Sequence, residues 1–335
     1  MTTKYPKVNY IGNKEKLVTW LVDNFPIAGG IVLDAFSGGC SVSYELKKRG
    51  YEVITNDVLY SSFVVAKSII ENKDEQLGEE EIKKALSIQI TSEVREQYSW
   101  IENKLYFSEE VDELVKLVEY SKSLDHNKKY IMQSLIRRAM IRKLPYSRMN
   151  VPWNNIVKLR DEDYSYEKYG RRRAYHNVPF SQHILENLSS YNASVFDNGL
   201  NNTSHQEDIL KLADTIKSVD LVYLDPPYPG TMNKYKSFYG SFDRLFGKEI
   251  SYMDLTRRET FLETMLEVVR VFKNKTRYIV LSLNSNSTPS ISEISEAFSE
   301  FGTIEVIERK HNYQVSGKKN KNNNLEQLLI LQLDN

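Results

Sequence analysis

Apolar and polar positions follow two rhythms along this chain, and the change from one to the other divides it. Over the first 72 residues, residues 30–35 are apolar, 41–49 are helix-forming, 52–55 make a short strand, and 60–71 form an amphipathic helix. That alternation predicts an α/β beginning. From residue 73 to about 189 strand signals thin out, and a helical period dominates in EEEIKKALSIQI, VDELVKLVEY and YIMQSLIRRAMI. Strand patterning then resumes at 219–224, 277–283, 304–309 and 327–333, with a helical stretch at 260–272. The polar run SGKKNKNNN at 316–324 has no core-forming residue and predicts a flexible loop between the last two strands. The pattern predicts an α/β domain over residues 1–72 and 190–335, interrupted by a mainly helical insertion over 73–189. No internal repeat is evident.

Within this pattern the stretch DLVYLDPPYPG, residues 220–230, stops abruptly. Its apolar part has the composition of a central strand, and Pro226-Pro227 cannot continue a ladder because neither residue carries an N–H. The strand is therefore expected to end at Asp225 and to be followed by a stiff lip without backbone donors, Pro226, Pro227 and Tyr228. The carboxyl edge of an open α/β sheet is where such folds place ligands.

A second stretch, GIVLDAFSGGCSVSYELKKRGYEVITND at 30–57, reads as strand, glycine turn, helix and strand. It is a nucleoside-binding βαβ half-unit in pattern, with Asp57 about 20 residues after the turn and placed to accept ribose hydroxyls. The turn Ser37-Gly38-Gly39 is not G-x-G-x-x-G, which gives little reason to expect a pyrophosphate above the helix. A phosphate-free nucleoside cofactor fits better, and S-adenosylmethionine is the obvious one. Asp34 is then placed to receive its amino group, with Phe36, Ser37 and Gly38 beside it. A plain structural turn is the competing explanation.

Composition narrows the class. There is one cysteine, Cys40, which excludes a disulfide framework and a multi-cysteine zinc site, and the five histidines are scattered. No metal site is expected. The opening MTTKYPKVNY has no apolar signal-type run and no stretch approaches a membrane span, so a cytoplasmic protein without membrane partners is expected. The formal net charge of zero hides two opposed segments: 71–125 carries fifteen acidic and seven basic residues, whereas 137–178 carries eleven basic and four acidic. The basic segment also holds Tyr146, Trp153, Tyr164, Tyr166, Tyr169 and Tyr175. Basic residues interleaved with aromatics suit phosphate contact and base stacking; a solvated surface with structural tyrosines is the other reading.

Taken together, DAFSGG, DPPY and NYIGNKEKL at 9–17 resemble the D12 class of adenine-N6 DNA methyltransferases, which includes the Dam methylases. The resemblance covers residues 5 to about 70 and about 205 to the end, in the order cofactor segment, glycine turn, target-recognition region, catalytic tetrapeptide, the alpha order. It implies a Rossmann-like S-adenosylmethionine-dependent methyltransferase sheet with an inserted, mainly helical target-recognition domain. It also implies that Tyr10 flanks the cofactor where Dam has tryptophan, that Lys14 contacts the cofactor, that Asp57 binds ribose, and that Asp225 is catalytic and lies near the cofactor. Asp208, followed by Ile209, aligns with an adenine-ring contact. The segment IRKLPYSRMN is similar to methyltransferases that accompany type IIS restriction enzymes.

The chemistry supports the tetrapeptide independently. The adenine amine is a poor nucleophile because its lone pair is delocalised into the ring, so two acceptors must hold its hydrogens while the nitrogen becomes tetrahedral. The Asp225 carboxylate and the Pro226 carbonyl qualify. No covalent intermediate is needed, and Cys40, outside any Pro-Cys pair, reads as a small buried residue. Tyr228 is the natural stacking platform for a flipped base. The DNA-facing residues are expected to be Arg137, Arg138 and Arg148, the run Arg171, Arg172 and Arg173, and Lys234 and Tyr235 in a loop after the lip whose Gly230 permits motion or serves as a plain turn residue. The expected function is site-specific methylation of double-stranded DNA by a monomer, paired with a restriction endonuclease of the same site. An RNA adenine methyltransferase and a non-catalytic DNA-binding derivative are the alternatives.

Overall fold

The computed structural model of the protein describes residues 3–172, 177–230, 234–311 and 324–334. It divides into two compact units, one of Met1–Asn13, Leu59–Gly199 and Lys236–Glu249, the other of Lys14–Val58, Leu200–Tyr235 and Ile250–Asn335.

The second unit holds the sheet. Its strands are β1 (Ile31–Asp34), β2 (Glu52–Asn56), β3 (Thr203–His205), β4 (Leu221–Leu224), β5 (Tyr278–Asn284), β6 (Gly302–Lys310) and β7 (Leu325–Leu333), arranged in the order β3-β2-β1-β4-β5-β7-β6. The first five are parallel, and β7 runs antiparallel between β5 and β6. Every residue of β4 and β5 is buried, as expected of parallel strands in the middle of a sheet. The helix Arg258–Phe272 buries Phe261, Met265, Val268, Val269 and Phe272 in the apolar cluster that also takes Val222, Leu224, Ile279 and Leu281. Chain order reverses between β1 and β4, so their carboxyl ends open the crevice that such topologies use for ligands.

The first unit is mainly helical. Its longest helix, His126–Arg142, packs on Ser108–Ser123, on Phe180–Asn192 and on Tyr60–Ala66. The last of these continues as one wider turn, Lys67–Glu71.

Observed strands match the runs at 30–35, 52–55, 219–224, 277–283, 304–309 and 327–333, each within two residues at either end. The division into units differs from the predicted boundaries. Residues 59–72 belong to the helical unit because Val64, Val65, Ile69 and Ile70 are buried where this segment packs on His126–Arg142. Residues 236–249 join the same unit, where the Asp243 carboxylate accepts the backbone N–H groups of Tyr60 and Ser61, both at 2.9 Å. Periodicity gives a helix its apolar face but not the neighbour that covers it. The predicted loop at 316–324 lies, apart from Asn324, outside the described residues.

Candidate active site

Four parallel strands deliver polar residues to one edge of the sheet: Asp34 at the end of β1, Asn56 and then Asp57 after β2, Asp225 after β4, and Asn284 at the end of β5. Backbone bonds lock the turn after β1: Ala35 N–H donates to the Tyr223 carbonyl at 3.0 Å and Ser37 N–H to the Asn56 carbonyl at 2.9 Å. Gly38 takes φ +48°, and its N–H donates to Asp57 Oδ2 at 2.9 Å. The predicted ribose-binding acid thus also fixes the glycine turn. The Asn56 amide donates to the carbonyls of Ala35 (3.3 Å) and Glu207 (3.0 Å), tying the loops after β1 and β3 together.

Asp34 is buried, with Oδ2 accepting the Ser43 hydroxyl and Oδ1 lacking a hydrogen-bond partner among the described residues. Burial pushes its carboxyl up to about 7, against the Ser43 bond and the pull of the nearby Phe36 N–H, and with help from the negative charges of Asp225 and Asp57. Phe36 is partly buried, and Ser37 is buried with its hydroxyl unpartnered among the described residues. Asp208 caps the helix Ile209–Thr215 through Leu210 N–H (2.9 Å) and also accepts Met253 N–H at 2.7 Å, so both carboxylate oxygens serve local backbone.

At the lip, Lys14 Nζ lies 3.3 Å from Asp225 Oδ1 and 2.6 Å from Glu326 Oε1. Glu326 is fully buried and also accepts the Ser282 hydroxyl at 2.5 Å. Burial pushes the Asp225 carboxyl up to about 6, which Lys14 opposes and Glu326 reinforces. Burial alone would lower Lys14, but the two carboxylates outweigh it and hold the ammonium charged. Pro226 and Pro227 add no donor, and Tyr228 turns its ring into the apolar cluster while its hydroxyl accepts Asn284 N–H at 3.0 Å. Gly230, at φ +88°, is a packed turn residue: an added Cβ would stand 2.9 Å from the Asn286 carbonyl. Among the described residues no group of three or more His, Cys, Asp or Glu side chains is placed to hold a metal ion.

Glu326, Ser282, Asn56 and Asn284 were not singled out from sequence. Glu326 had a signal: a carboxylate inside LEQLLILQL must be buried on a central strand, where an unpaired charge is expensive.

In the helical unit, two of the expected DNA-facing arginines are buried. Arg137 is 0% exposed; its Nη1 donates to the Val8 carbonyl at 2.9 Å, and its guanidinium lies 5.0 Å from the Tyr239 ring centre and 5.8 Å from that of Tyr10. Tyr10 itself stacks on Tyr239 at 4.9 Å. Arg138 donates to the Lys7 carbonyl, to the Asn9 side chain and, at 2.7 Å, to Asn187. These two arginines tether the irregular N-terminal segment at residues 7–9 instead of presenting charge at the surface. The local excess of basic residues hid this, because a charge count carries no depth. Arg148 is partly buried between the rings of Tyr146 (5.5 Å) and Phe238 (5.6 Å). Arg171 is exposed, Arg172 pairs with Glu162 at 2.7 Å, and Arg173 lies outside the described residues. In the sheet-bearing unit, Lys234 is exposed and Tyr235 opens the helix Tyr235–Phe246. Among the described residues no helix is long and apolar enough to cross a membrane.

This strand order, with its antiparallel seventh strand and an Asp-Pro-Pro-Tyr edge at the switch point, defines a Rossmann-like α/β fold of methyltransferase type. The chain belongs to the D12 class of N6 adenine-specific DNA methyltransferases, whose family pattern matches residues 10–315. It is 42% identical to Type II methyltransferase M2.HphI of Haemophilus parahaemolyticus over 98% of each chain. It is 25% identical to Type II methyltransferase M.NlaIII of Neisseria lactamica, covering 94% of this chain and 95% of that one. Modification methylase StsI of Streptococcus sanguinis is 24% identical over 95% of this chain and 50% of its own. The protein is a site-specific DNA methyltransferase.

Proposed function

We propose that the methyl donor is S-adenosylmethionine and that the acceptor is an adenine flipped out of a double-stranded site. The residues present suit this donor. Among the described residues Asp34 Oδ1 is buried without a hydrogen-bond partner beside the glycine turn, as a carboxylate awaiting an ammonium group would be, and its raised pKa is what an arriving cation would reverse. When bound, the sulfonium supplies an electrophilic methyl group. Asp34 binds the donor's amino group, Gly38 keeps the turn bare for close approach, and Asp57 takes the ribose. Phe36 and Ser37 line the turn in this reading, and the family resemblance adds Tyr10 and Lys14 as cofactor-flanking residues; Asp208, whose two carboxylate oxygens hold backbone N–H groups, would serve only by shaping the loop.

On the acceptor side, the Asp225 carboxylate and the Pro226 carbonyl take the amine hydrogens and draw the nitrogen toward tetrahedral geometry. The two prolines fix that pair without offering a competing donor. Tyr228, packed against the apolar cluster and anchored through its hydroxyl, would take the extruded base on the face of its ring that the cluster leaves uncovered; about 1–3 kcal/mol of stacking offsets a flipping cost of a few kcal/mol. The observation that carries this reading is the Asp225 carboxylate at the carboxyl end of β4, paired with Lys14.

The helical unit, with Arg148, Arg171, Arg172, Arg173 and the segment at Lys234 and Tyr235, is the target-recognition part. The protein acts as a monomer in a restriction-modification system, protecting the site that a cognate endonuclease cuts, since relatives along its full length carry Type II methyltransferase names. The test is sequencing of plasmid DNA from cells expressing the protein. N6-methyladenine confined to one short motif supports the reading; methylation without a motif, or none, rejects it.

A further inference from the structure

The mechanism above uses Lys14 and Asp225 but leaves Glu326 and Ser282 without a task. Glu326 sits on β7, opposite Asn284 of β5, with no exposed surface. A strand between two sheet neighbours tolerates a buried carboxylate only where charge and hydrogen bonds meet it. Here they come from the Lys14 ammonium at 2.6 Å and the Ser282 hydroxyl at 2.5 Å. The ammonium is closer to Glu326 than to Asp225, which it approaches at 3.3 Å. The shorter bond thus goes to Glu326, although the Asp225 charge acts on the ammonium at least as strongly, so the cation is shared and the lip carboxylate does not have it to itself.

We propose that Glu326, held by Ser282, is a positioning residue for methyl transfer: it draws the Lys14 ammonium partly away from Asp225 and so leaves the Asp225 carboxylate a strong acceptor for the adenine amine. This inference rests on the role given to Asp225 above. A carboxylate fully paired with a buried lysine is a poor acceptor, because its lone pairs and charge are already committed. One without any cation would be protonated in this buried place. Sharing Lys14 between two carboxylates avoids both extremes.

The groups around Asp225 are Lys14, Glu326, Tyr223, Tyr228 and Asp34, and the Lys14–Glu326 pair acts in turn on His311, which Lys16 and Arg309 also face. Among them, only the loss of negative charge at 326 both removes a like charge from Asp225 and releases Lys14 toward it. The test is Glu326→Gln, which keeps shape and an acceptor for Ser282, with Glu326→Asp as the charge-retaining control. The readout is kcat/KM for duplex DNA against pH at saturating S-adenosylmethionine, where Asp34 faces its bound partner and the acid limb reports Asp225. Melting temperature and cofactor Kd are measured alongside.

In Glu326→Gln the acid limb should move to lower pH by roughly one unit, the scale of one neighbouring charge. Turnover on the plateau should fall about tenfold, equivalent to about 1.4 kcal/mol, with KM for DNA little changed. Glu326→Asp should return the limb toward wild type. An unmoved limb, whether activity is kept or is lost along with thermal stability, overturns the proposal, as does a limb that moves to higher pH. If wild-type protein itself puts no methyl on adenine, the reading of Asp225 fails first, and the two failures are told apart by that control.

Discussion

The Tyr228 hydroxyl accepts the backbone N–H of Asn284 at 3.0 Å, which joins the catalytic lip after β4 to the last residue of β5. The phenol oxygen therefore has a structural task apart from the ring. Tyr228→Phe keeps the aromatic face but leaves a buried N–H without its acceptor, costing about 1–3 kcal/mol of stability. It should melt earlier yet methylate at a substantial rate in single turnover. Tyr228→Ala loses the stacking surface as well, and productive complex should fall on the order of tenfold to a hundredfold. Equal loss of activity in the two variants would mean that the oxygen, not the ring face, is what the reaction requires.

Asp34 should set stability against cofactor binding. Its folded pKa of about 7 lies above the ordinary 3.8, so the folded protein holds a proton that the unfolded chain releases. The resulting penalty is absent below pH ~4, grows between ~4 and 7, and is complete above 7, reaching a few kcal/mol. Asp34→Asn should thus melt several degrees above wild type at pH 8 and show little difference at pH 4, while binding S-adenosylmethionine far more weakly. Calorimetric melts at both pH values, with a cofactor titration at pH 8, check this. Weakened binding without the pH-dependent gain in stability would place the cause in local distortion and not in the buried charge.

Much of this site was legible because chain punctuation is local. Pro226-Pro227 must end a strand and a glycine turn must follow β1, and both appear where the pattern places them, whereas the bond from Gly38 N–H to Asp57 is a contact that the sequence pattern does not give. What escaped depends on pairing across long separations. Glu326 reaches Lys14 from 312 residues away, and Ser282 becomes its partner only through the β5–β7 register. β3 was missed because Thr203-Ser204-His205 has no apolar alternation. Arg137 and Arg138 are buried and not surface charge, and nothing local in the sequence says that the backbone of Lys7 and Val8 takes their donors.

That burial yields a contrast among the arginines. Arg138→Ala should destabilise the protein by about 1–3 kcal/mol, since it strips backbone and side-chain acceptors of a charged donor, and leave the salt dependence of DNA binding unchanged. Arg171→Ala, at an exposed position, should leave the melting temperature alone and reduce the slope of log K against log salt by roughly one. Filter binding across a salt series separates the two. An unchanged slope for Arg171→Ala would return this arginine to the solvated surface.

The central claim is that Asp225 serves the exocyclic amine of adenine. Its most direct test is mass spectrometry of nucleosides from duplex DNA carrying the mapped site, after incubation with labelled S-adenosylmethionine and either wild-type protein or Asp225→Ala. Wild type should yield labelled N6-methyladenine, and Asp225→Ala should yield almost none while still binding the duplex. Label on cytosine alone, or an Asp225→Ala protein that methylates adenine at the wild-type rate, would contradict the claim.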